Sequence, residues 1–213
     1  MSSNRSTILT RDRIVATAED VLRRFGPEKA TVVDVARALG VSHAAVYRHV
    51  KTKAELRDLV VQRWVDETMP PLRAVVARPG PAPKRLRQLF DTLISIKRRR
   101  AAADPQLFSA YRLLSAGAQS IVAAHVDELV QLGAAIINSG VEEGTFRQVD
   151  PVAASQAILF ATFPFHHPAH AMEWTNPKLD SVYEDIWRLL MEGLSLEKNL
   201  RVAKRKISSN RFQ

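Results

Sequence analysis

Hydrogen-bond donors are concentrated between residues 47 and 53 of the chain. Within seven positions the sequence supplies a phenol at Tyr47, an imidazole at His49 and an ammonium group at Lys53. Each of these groups can donate to the phosphate oxygens of a nucleic acid. Between them, Arg48 carries a guanidinium that can hold a guanine edge with two hydrogen bonds, a contact worth about 1–3 kcal/mol in base discrimination. The chemistry predicted here is recognition of a polyanion, without a covalent step.

These donors need a scaffold, and the residues before them predict two short helices joined by a tight turn. Thr31 is a capping residue with Asp34 three positions later, where Glu is more usual. Gly40 ends the first helix because glycine accepts a left-handed backbone, and Ser42 caps the second helix. The connection has the three to four residues of a helix-turn-helix. Such a unit presents its second helix to the major groove of DNA.

At these residues the chain resembles the TetR family of dimeric repressors. The resemblance rests on Gly40-Val41-Ser42, on Val46-Tyr47-Arg48-His49, and on Lys51-Thr52-Lys53 followed by Glu55-Leu56. It extends back through a predicted helix at residues 13–25, so that it covers roughly residues 10 to 65. One departure is Val50, where many relatives carry an aromatic residue, and this difference changes packing more than contacts.

The resemblance supports roles for individual residues. It implies that Thr31, Tyr47, His49 and Lys53 contact backbone phosphates. The surface that reads bases is expected to comprise Ser42, His43, Ala44, Ala45 and Arg48. Other interpretations stay open at this point: Arg48 contacts a phosphate, Ala45 belongs to the core, and Tyr47 is a packed aromatic residue with a solvated hydroxyl group.

Composition limits the class of protein. The chain has 213 residues, of which 46% are apolar, so it can bury a core of ordinary size. It has no cysteine, which excludes disulfides and thiolate metal sites. No uninterrupted apolar run has the length of a membrane span, and the polar first residues do not form a signal peptide. We therefore expect a cytoplasmic protein with no membrane partner.

The net charge of +9 is unevenly distributed. Residues 1–69 carry +3, residues 70–196 carry +1, and the tail 197–213 carries +5. The tail is interpreted either as a disordered solubilising end or as a source of nonspecific attraction to phosphates. The basic run at residues 97–100 is expected to end a helix, where cations suit the negative end of the helix dipole.

Almost all the periodicity in the sequence is helical, which predicts an all-α protein with about nine helices. Pro70 and Pro71 are expected to break a helix, and the proline- and glycine-rich residues 77–83 mark the expected seam between two parts. We predict a three-helix DNA-binding domain at residues 8–52 containing the helix-turn-helix. A larger helical domain for effector binding and dimerisation follows at 53–196, and a basic tail at 197–213.

The resemblance implies that the larger domain binds a small effector and pairs with a second copy. Candidate residues for the effector pocket are Leu89, Leu93, Phe108, Tyr111, Val122, His125, Phe160 and Phe163. An apolar stripe of this kind is also typical of a simple core. The pairing helices would be residues 152–163 and 182–194, where small side chains permit close approach: Ala153, Ala154, Ala157 and Gly193. Alternatively, these small residues pack within one subunit.

Three histidines at His166, His167 and His170 raise the question of a metal site. Pro164 and Pro168 flank the first two, so no regular helix aligns their rings. We therefore favour surface or interface histidines and predict neither a metal nor a cofactor.

The predicted function is a ligand-responsive transcriptional regulator, a repressor that binds a palindromic operator as a homodimer and is released by a small molecule. The alternative is an enzyme with an appended DNA-binding head. No phosphate loop, nucleophile elbow or paired metal-binding helix is present in the sequence, so we expect no enzymatic activity. A nonspecific architectural binder would spread basic residues more widely. Activation instead of repression stays open.

Overall fold

The computed structural model describes residues 8–196, and its regular elements are helices. These residues form eleven α-helices, one 3₁₀ helix and an isolated antiparallel bridge between Phe146 and Ser195. The all-α prediction is confirmed, with somewhat more helices than expected. The predicted tail at 197–213 lies outside the described residues.

The α-helices follow one another with short connections. In chain order they are α1 Arg11–Lys29, α2 Val32–Leu39, α3 His43–Tyr47, α4 Lys53–Asp66, α5 Met69–Ala77, α6 Ala82–Ala103, α7 Pro105–Ser115, α8 Gln119–Glu142, α9 Pro151–Ala161, α10 Phe163–His166 and α11 Leu179–Leu194. The 3₁₀ helix spans Pro168–Glu173.

The described residues group into two compact units. Residues 8–67 with 100–123 form the first unit, and residues 68–99 with 124–196 form the second. The first unit therefore contains α1 to α4 and α7, and the second contains α5 and α9 to α11. The segment at 77–83, expected as a seam, lies inside the second unit. The functional division between 8–52 and 53–196 stays a prediction.

The helix-turn-helix has the local bonds that its sequence predicts. The Asp34 amide donates to the Thr31 hydroxyl oxygen at 3.2 Å, and the Thr31 amide donates to the Asp34 carboxylate at 3.1 Å. Gly40 ends α2 with a φ of +68°, in the left-handed region. The Ala45 amide donates to the Ser42 hydroxyl oxygen at 3.2 Å. Both predicted caps and the predicted turn are confirmed.

The predicted helix at residues 13–25 is confirmed as the main part of α1. Gly26 interrupts the helical backbone of α1 with a φ of +74°, and Pro27 follows it. Ile14, Ala18 and Val21 of this helix are buried. Phe25, just before the interruption, is exposed, and the guanidinium of Arg24 lies 5.5 Å from its ring centre.

Helix α4 begins with a capping arrangement that differs in one bond from a capping box. The Glu55 amide donates to the Thr52 hydroxyl oxygen at 3.0 Å. The Glu55 carboxylate, however, accepts from the Lys51 amide at 2.6 Å and pairs with Arg11. The same carboxylate therefore ties the start of α4 to α1.

Helix α7 completes the first unit by packing on α1 and α4. The ring of Tyr111 stacks on that of Trp64 with centres 4.5 Å apart, and Phe108 lies 5.8 Å from Trp64. Arg23 of α1 donates to Asp104, which caps α7, at 2.5 Å. The first unit, which contains the helix-turn-helix, is thus completed by a helix that is distant from it in sequence.

The core of the second unit is formed by α5, α6, α8, α9, α10 and α11 together with Phe146. Helix α5 was not predicted. Helix α4 ends at Asp66, and Pro70 and Pro71, which were expected to break a helix, lie in the first turn of α5. Proline is accepted in the first turn of a helix, because the amide groups there have no intrahelical partner. Gly140 lets α8 pass close to Phe146, since a Cβ at this glycine would lie 2.2 Å from the Phe146 Cδ2.

Helix α8 is long and apolar enough to cross a membrane by the criteria of length and composition. It is the one such helix in residues 8–196. This is weak evidence for a membrane span, because core helices have the same property. Leu129, Ile136 and Ile137 of α8 belong to the buried core of the second unit.

Candidate nucleic-acid interface

The orientation of α3 is fixed by two valines. Val46 and Val50 are 0% exposed and anchor the short helix to the core of the first unit. The opposite face consists of side chains that are exposed to solvent: Ser42, His43, Ala44, Tyr47 and Arg48. Ala45 lies between the two faces and is partly buried. The structure therefore brings the predicted reading residues, with Ala45 at their edge, to one exposed face of α3.

Tyr47 is the large aromatic residue of this surface and is 43% exposed. A side chain this accessible is not a packed core aromatic, so its hydroxyl group is free to meet a ligand. Arg48 follows it as the C-cap of α3, and its side chain is exposed. His49 is half-buried. Three of the predicted donors are therefore adjacent at the end of α3.

The donors of Thr31 are already used within the protein. Its amide and its hydroxyl both donate to the Asp34 carboxylate, the hydroxyl at 2.5 Å. These hydrogen bonds lower the pKa of Asp34, with a further contribution from Arg37. A phosphate at Thr31 would have to compete with a carboxylate for these donors. The phosphate contact predicted for Thr31 stays a prediction.

Lys53 is the first residue of α4 and is half-buried. Its ammonium lies 3.4 Å from the backbone carbonyl oxygen of Glu28 in α1. An ammonium has three donors, so one such contact orients the group and leaves others for an anion. The carboxylates close to this surface are paired with cations, Asp34 with Arg37 at 3.1 Å and Glu55 with Arg11. Their repulsion of an approaching phosphate is thereby reduced.

The predicted effector residues divide between the two units. Phe108 and Tyr111 are buried against Trp64 in the first unit, and Val122, half-buried, belongs to the same unit. The second unit contains the remaining candidates: Leu89, Leu93, His125, Phe160 and Phe163. Among these, Leu89, Leu93 and His125 are buried, Phe163 is half-buried, and Phe160 is 48% exposed.

The sequence analysis did not foresee the burial of Lys97. We expected the basic run at 97–100 to end a helix, and Arg100 does lie in the last turn of α6, which ends at Ala103, but Lys97 is 4% exposed. The signal was present in the periodicity, because Lys97 continues the buried series Leu86, Phe90, Leu93. The rest of the run is structural: Arg98 pairs with Asp180 at 2.7 Å, and Arg100 donates to the Trp64 carbonyl at 2.8 Å.

Lys97 lies near buried histidines of the same unit. Burial and, after it, the positive charge of Lys97 lower the pKa of His125 to about 3. The same two causes, in the same order, lower the pKa of His166 to about 3. Both imidazoles are therefore neutral at pH 7. His166 was considered from the sequence only as a metal ligand, and the structure places it in the interior.

The three neighbouring histidines are not brought to one point. His166 is buried, whereas His167 is exposed and stacks on Phe163, with ring centres 5.1 Å apart. His170 lies 3.3 Å from the carboxylate of Glu173. Among residues 8–196 no group of three or more His, Cys, Asp or Glu side chains is arranged to hold a metal ion.

Helices α9 and α11 leave apolar side chains exposed. Val152 and Phe160 are exposed on α9, and Val182 and Leu189 are exposed on α11, Leu189 to 65%. Gly193 has open space where a Cβ would stand. Ala153 and Ala157 are also exposed, whereas Ala154 packs against the core of its own unit. The small residues predicted for pairing are therefore mostly accessible.

Two family models match the chain. The model described as bacterial regulatory proteins, tetR family, matches residues 14–60, which contain the helix-turn-helix. The model described as tetracyclin repressor-like, C-terminal domain, matches residues 82–187. A comparison with curated proteins found no match.

Solved structures of regulators share this fold. A TetR transcription regulator from Haloarcula marismortui is 18% identical, with a TM-score of 0.69, over 87% of this chain and 97% of that one. The transcriptional regulator FadR from Bacillus subtilis, in complex with stearoyl-CoA, is 17% identical, with a TM-score of 0.63, over 86% and 99%. A TetR/AcrR regulator from Thermobifida fusca is 24% identical, with a TM-score of 0.62, over 86% and 97%.

Proposed function

Because the chain belongs to the TetR family of bacterial regulatory proteins, it is a DNA-binding transcriptional regulator, and we propose that it represses transcription. In this proposal a homodimer binds a palindromic operator and a small-molecule effector releases it. The observation that carries the proposal is the exposed polar face of α3, held outward by the buried Val46 and Val50.

The donors of the helix-turn-helix have separate tasks in this proposal. Tyr47, His49 and Lys53 hold the phosphate backbone, which fixes the register of the protein on DNA. Arg48, with Ser42, His43 and Ala44 at the start of the same helix, faces the base edges. The exposure of Tyr47 and Arg48 supports this division, and the orientation of Lys53 by the Glu28 carbonyl at 3.4 Å supports its role as a fixed phosphate ligand.

A dimer is needed because one short helix reads few base pairs. Two copies related by a two-fold axis would present their α3 helices to successive turns of the major groove, about 34–36 Å apart. The exposed apolar side chains of α9 and α11 support this pairing, since a soluble monomer gains by covering such a surface. In a four-helix arrangement of these helices, Ala157 and Gly193 would allow close approach of the backbones.

We propose that the effector binds within the second unit and that the dimer acts in the cytoplasm, where its DNA is. An effector releases DNA only if it binds the DNA-free conformation better than the DNA-bound one. FadR, which shares the fold, was solved with stearoyl-CoA, and this is consistent with a ligand in the corresponding part of the chain. The proposal assigns no enzymatic activity, which is in keeping with a family of regulators.

Selection of bound sequences from random DNA, followed by affinity measurements on the selected site, tests the proposal. Lys53→Ala should weaken binding to all sequences and lower the salt dependence by about one phosphate contact. Arg48→Ala should lose about 1–3 kcal/mol of preference at one position of each half-site. Arg112→Ala is the matched control, because Arg112 is an exposed arginine of the same unit on α7.

The outcomes are distinct. A palindromic site with the three expected responses supports a two-fold regulator. If the selection yields no preferred sequence, the protein is a nonspecific binder and the proposal is wrong. If Lys53→Ala and Arg48→Ala bind the selected site like the unmodified protein, the interface lies elsewhere. The effector part of the proposal is tested in a second step, in which small molecules are screened for release of the selected DNA.

A further inference from the structure

Two basic side chains of α4 contact the end of α1 within the first unit. The Arg57 guanidinium donates to the backbone carbonyl oxygen of Pro27 at 3.0 Å, and the Lys53 ammonium lies 3.4 Å from the carbonyl oxygen of Glu28. Lys53 and Arg57 are four residues apart, so they lie one turn from each other on the same side of α4. Helix α4 is therefore attached at two successive points to the connection between α1 and α2.

The Pro27 carbonyl is available to Arg57 because α1 ends just after it. The last carbonyl groups of a helix have no amide four residues further along, and arginine or lysine side chains often bind them. In a longer helix the Thr31 amide would be the partner of Pro27, but this amide donates to the Asp34 carboxylate at 3.1 Å and caps α2 instead. The guanidinium of Arg57 therefore takes the place of the amide that the cap of α2 uses.

Packing beside these two contacts is incomplete. A cavity of about 20 Å³, with room for about one molecule of the size of water, lies between α1, α2 and α4. Its lining is largely apolar and also includes Thr31, Lys53 and Arg57. Close packing holds helices in one arrangement, whereas a gap removes part of the attraction between them. The two polar contacts therefore contribute to a placement that side-chain packing alone does not fix.

The connection that Arg57 contacts leads directly into the DNA-binding helices. Thr31 follows it as the N-cap of α2, and α3 comes after α2. Lys53, which begins α4, stands on the other side of the contact. Phosphate contacts fix the register of a protein on DNA. Lys53 can therefore meet its phosphate while α3 lies in the groove only if α4 keeps one placement relative to α2.

The two basic groups suit different tasks. Arg57 has the shorter contact, and its planar guanidinium holds a fixed direction when it donates to a carbonyl oxygen. Lys53 has the longer contact, at 3.4 Å, and its ammonium has three donors on a flexible stem. Lys53 can therefore turn a donor towards a phosphate, while Arg57 holds the end of α1 beside it.

We propose that Arg57 is a positioning residue for DNA binding, which holds the α1–α2 connection against α4 so that Lys53 and α3 meet the same duplex together. The inference rests on the proposed function, because it requires Lys53 to contact a phosphate. It assigns to Arg57 an effect that passes through Lys53, and no contact of its own with DNA.

A double-mutant cycle in the full chain tests this role. Affinity for the selected operator, and for a random duplex of the same length, is measured for the unmodified protein, Arg57→Met, Lys53→Met and the double variant. Arg57→Met should weaken operator binding by roughly 3- to 10-fold, the range expected for loss of one hydrogen bond. In the Lys53→Met background it should weaken binding by less than about twofold, because the group through which it acts is gone.

Two further variants complete the cycle. Arg57→Lys keeps a cationic donor for the Pro27 carbonyl and should restore most of the affinity. Arg112→Met is the matched control, since Arg112 is an exposed arginine of the same unit, and it should bind DNA like the unmodified protein. If Arg57→Met costs the same affinity with and without Lys53, or if Lys53→Met leaves DNA affinity unchanged, the proposal is wrong.

The salt dependence of affinity separates positioning from a direct phosphate contact. Each phosphate ligand that is removed lowers this dependence by about one. Lys53→Met should lower it by about one, and the double variant should lower it no further, because Arg57 neutralises no phosphate. A double variant with a dependence lowered by about two would make Arg57 a phosphate ligand and would exclude the positioning role.

Circular dichroism at the assay temperature shows whether each variant is folded. If Arg57→Met is unfolded, the cycle is run with Arg57→Gln, which keeps a neutral N–H donor. If Arg57→Gln is unfolded as well, Arg57 is a structural residue and the positioning role is overturned.

Failure of this inference differs from failure of the proposed function. An operator that is bound specifically, together with equal costs of Arg57→Met in both backgrounds, overturns the role of Arg57 and leaves the regulator in place. If no preferred sequence is found, the proposed function fails. The cycle on the random duplex then still decides the role of Arg57, because phosphate contacts do not depend on sequence.

Discussion

The buried histidines make the stability of this protein depend on pH in a calculable way. His125 and His166 each have a pKa lowered to about 3, chiefly by burial and then by the charge of Lys97. An exposed imidazole in the unfolded chain has a pKa of about 6.5. Between these values the unfolded chain binds more protons than the folded protein. The free energy of unfolding must therefore fall as the pH falls from about 6.5 towards 3.

The magnitude follows from the size of the two shifts. Each histidine contributes roughly 2 kcal/mol to the loss of stability between about pH 7.5 and pH 5, so that the pair contributes roughly 4 kcal/mol. This is a large part of the 5–15 kcal/mol that stabilises a typical protein. His125→Leu should remove about half of the loss, and at pH 7.5 its stability should be equal or higher, because two buried nitrogens without partners are removed.

Urea denaturation at both pH values, at one protein concentration, measures the effect. Leu129→Met is the matched control, because Leu129 lies one turn from His125 on the same helix and carries no proton. The methionine should change stability by less than about 1.5 kcal/mol and by the same amount at both pH values. If His125→Leu loses as much stability between the two pH values as the unmodified protein, His125 is not a buried neutral imidazole, and the reasoning about its surroundings is wrong.

Two further substitutions test packing and assembly. Gly140→Ala should cost about 1–3 kcal/mol in urea denaturation, because its Cβ would lie 2.2 Å from Phe146. Gly117→Ala is the control, because a Cβ at Gly117 would make only an ordinary contact, 3.6 Å from the Leu114 carbonyl oxygen. An unchanged midpoint for Gly140→Ala would contradict this packing. Leu189→Glu should convert the dimer to a monomer in sedimentation, since Leu189 is 65% exposed on the proposed pairing face. Leu113→Glu, an exposed leucine on α7, should remain dimeric, and a dimeric Leu189→Glu protein would exclude this face.

The caps and the turn of the helix-turn-helix could be predicted from the sequence because the interacting groups are close in sequence. Thr31 and Asp34 are three residues apart, as are Ser42 and Ala45, and the bonds between them form in any chain that makes the helix. Gly40 signals a left-handed backbone by its own lack of a side chain. The exposed face of α3 then follows from the burial of Val46 and Val50 at helical spacing.

The candidate effector residues were only partly predictable, because burial alone does not identify neighbours. Phe108 and Tyr111 have the apolar character of a pocket lining, yet they pack on Trp64 within the first unit. Lys97 was expected in a basic run at the end of a helix and is buried. The choice between these environments depends on side chains from helices distant in sequence, which periodicity does not specify.

Helix α11 also shows that a sequence pattern does not identify the neighbours of a side chain. The sequence predicted that residues 182–194 pair with a second copy, but it did not distinguish the exposed Val182 and Leu189 from the residues buried on the side facing the core, which are Leu179, Tyr183 and Trp187. The helix has apolar residues on two sides, and a hydrophobic pattern does not say which side its own subunit covers.

The order of amino acids was enough to establish the helical class, the caps and turn of the DNA-binding head, and the donors that it presents, because each depends on contacts within one or two helical turns. Folding decided which apolar face is buried, which aromatic residues meet Trp64, and that Lys97 and His125 are both buried. Those outcomes depend on long-range packing and on the removal of charged groups from water, and both arise only when distant helices come together.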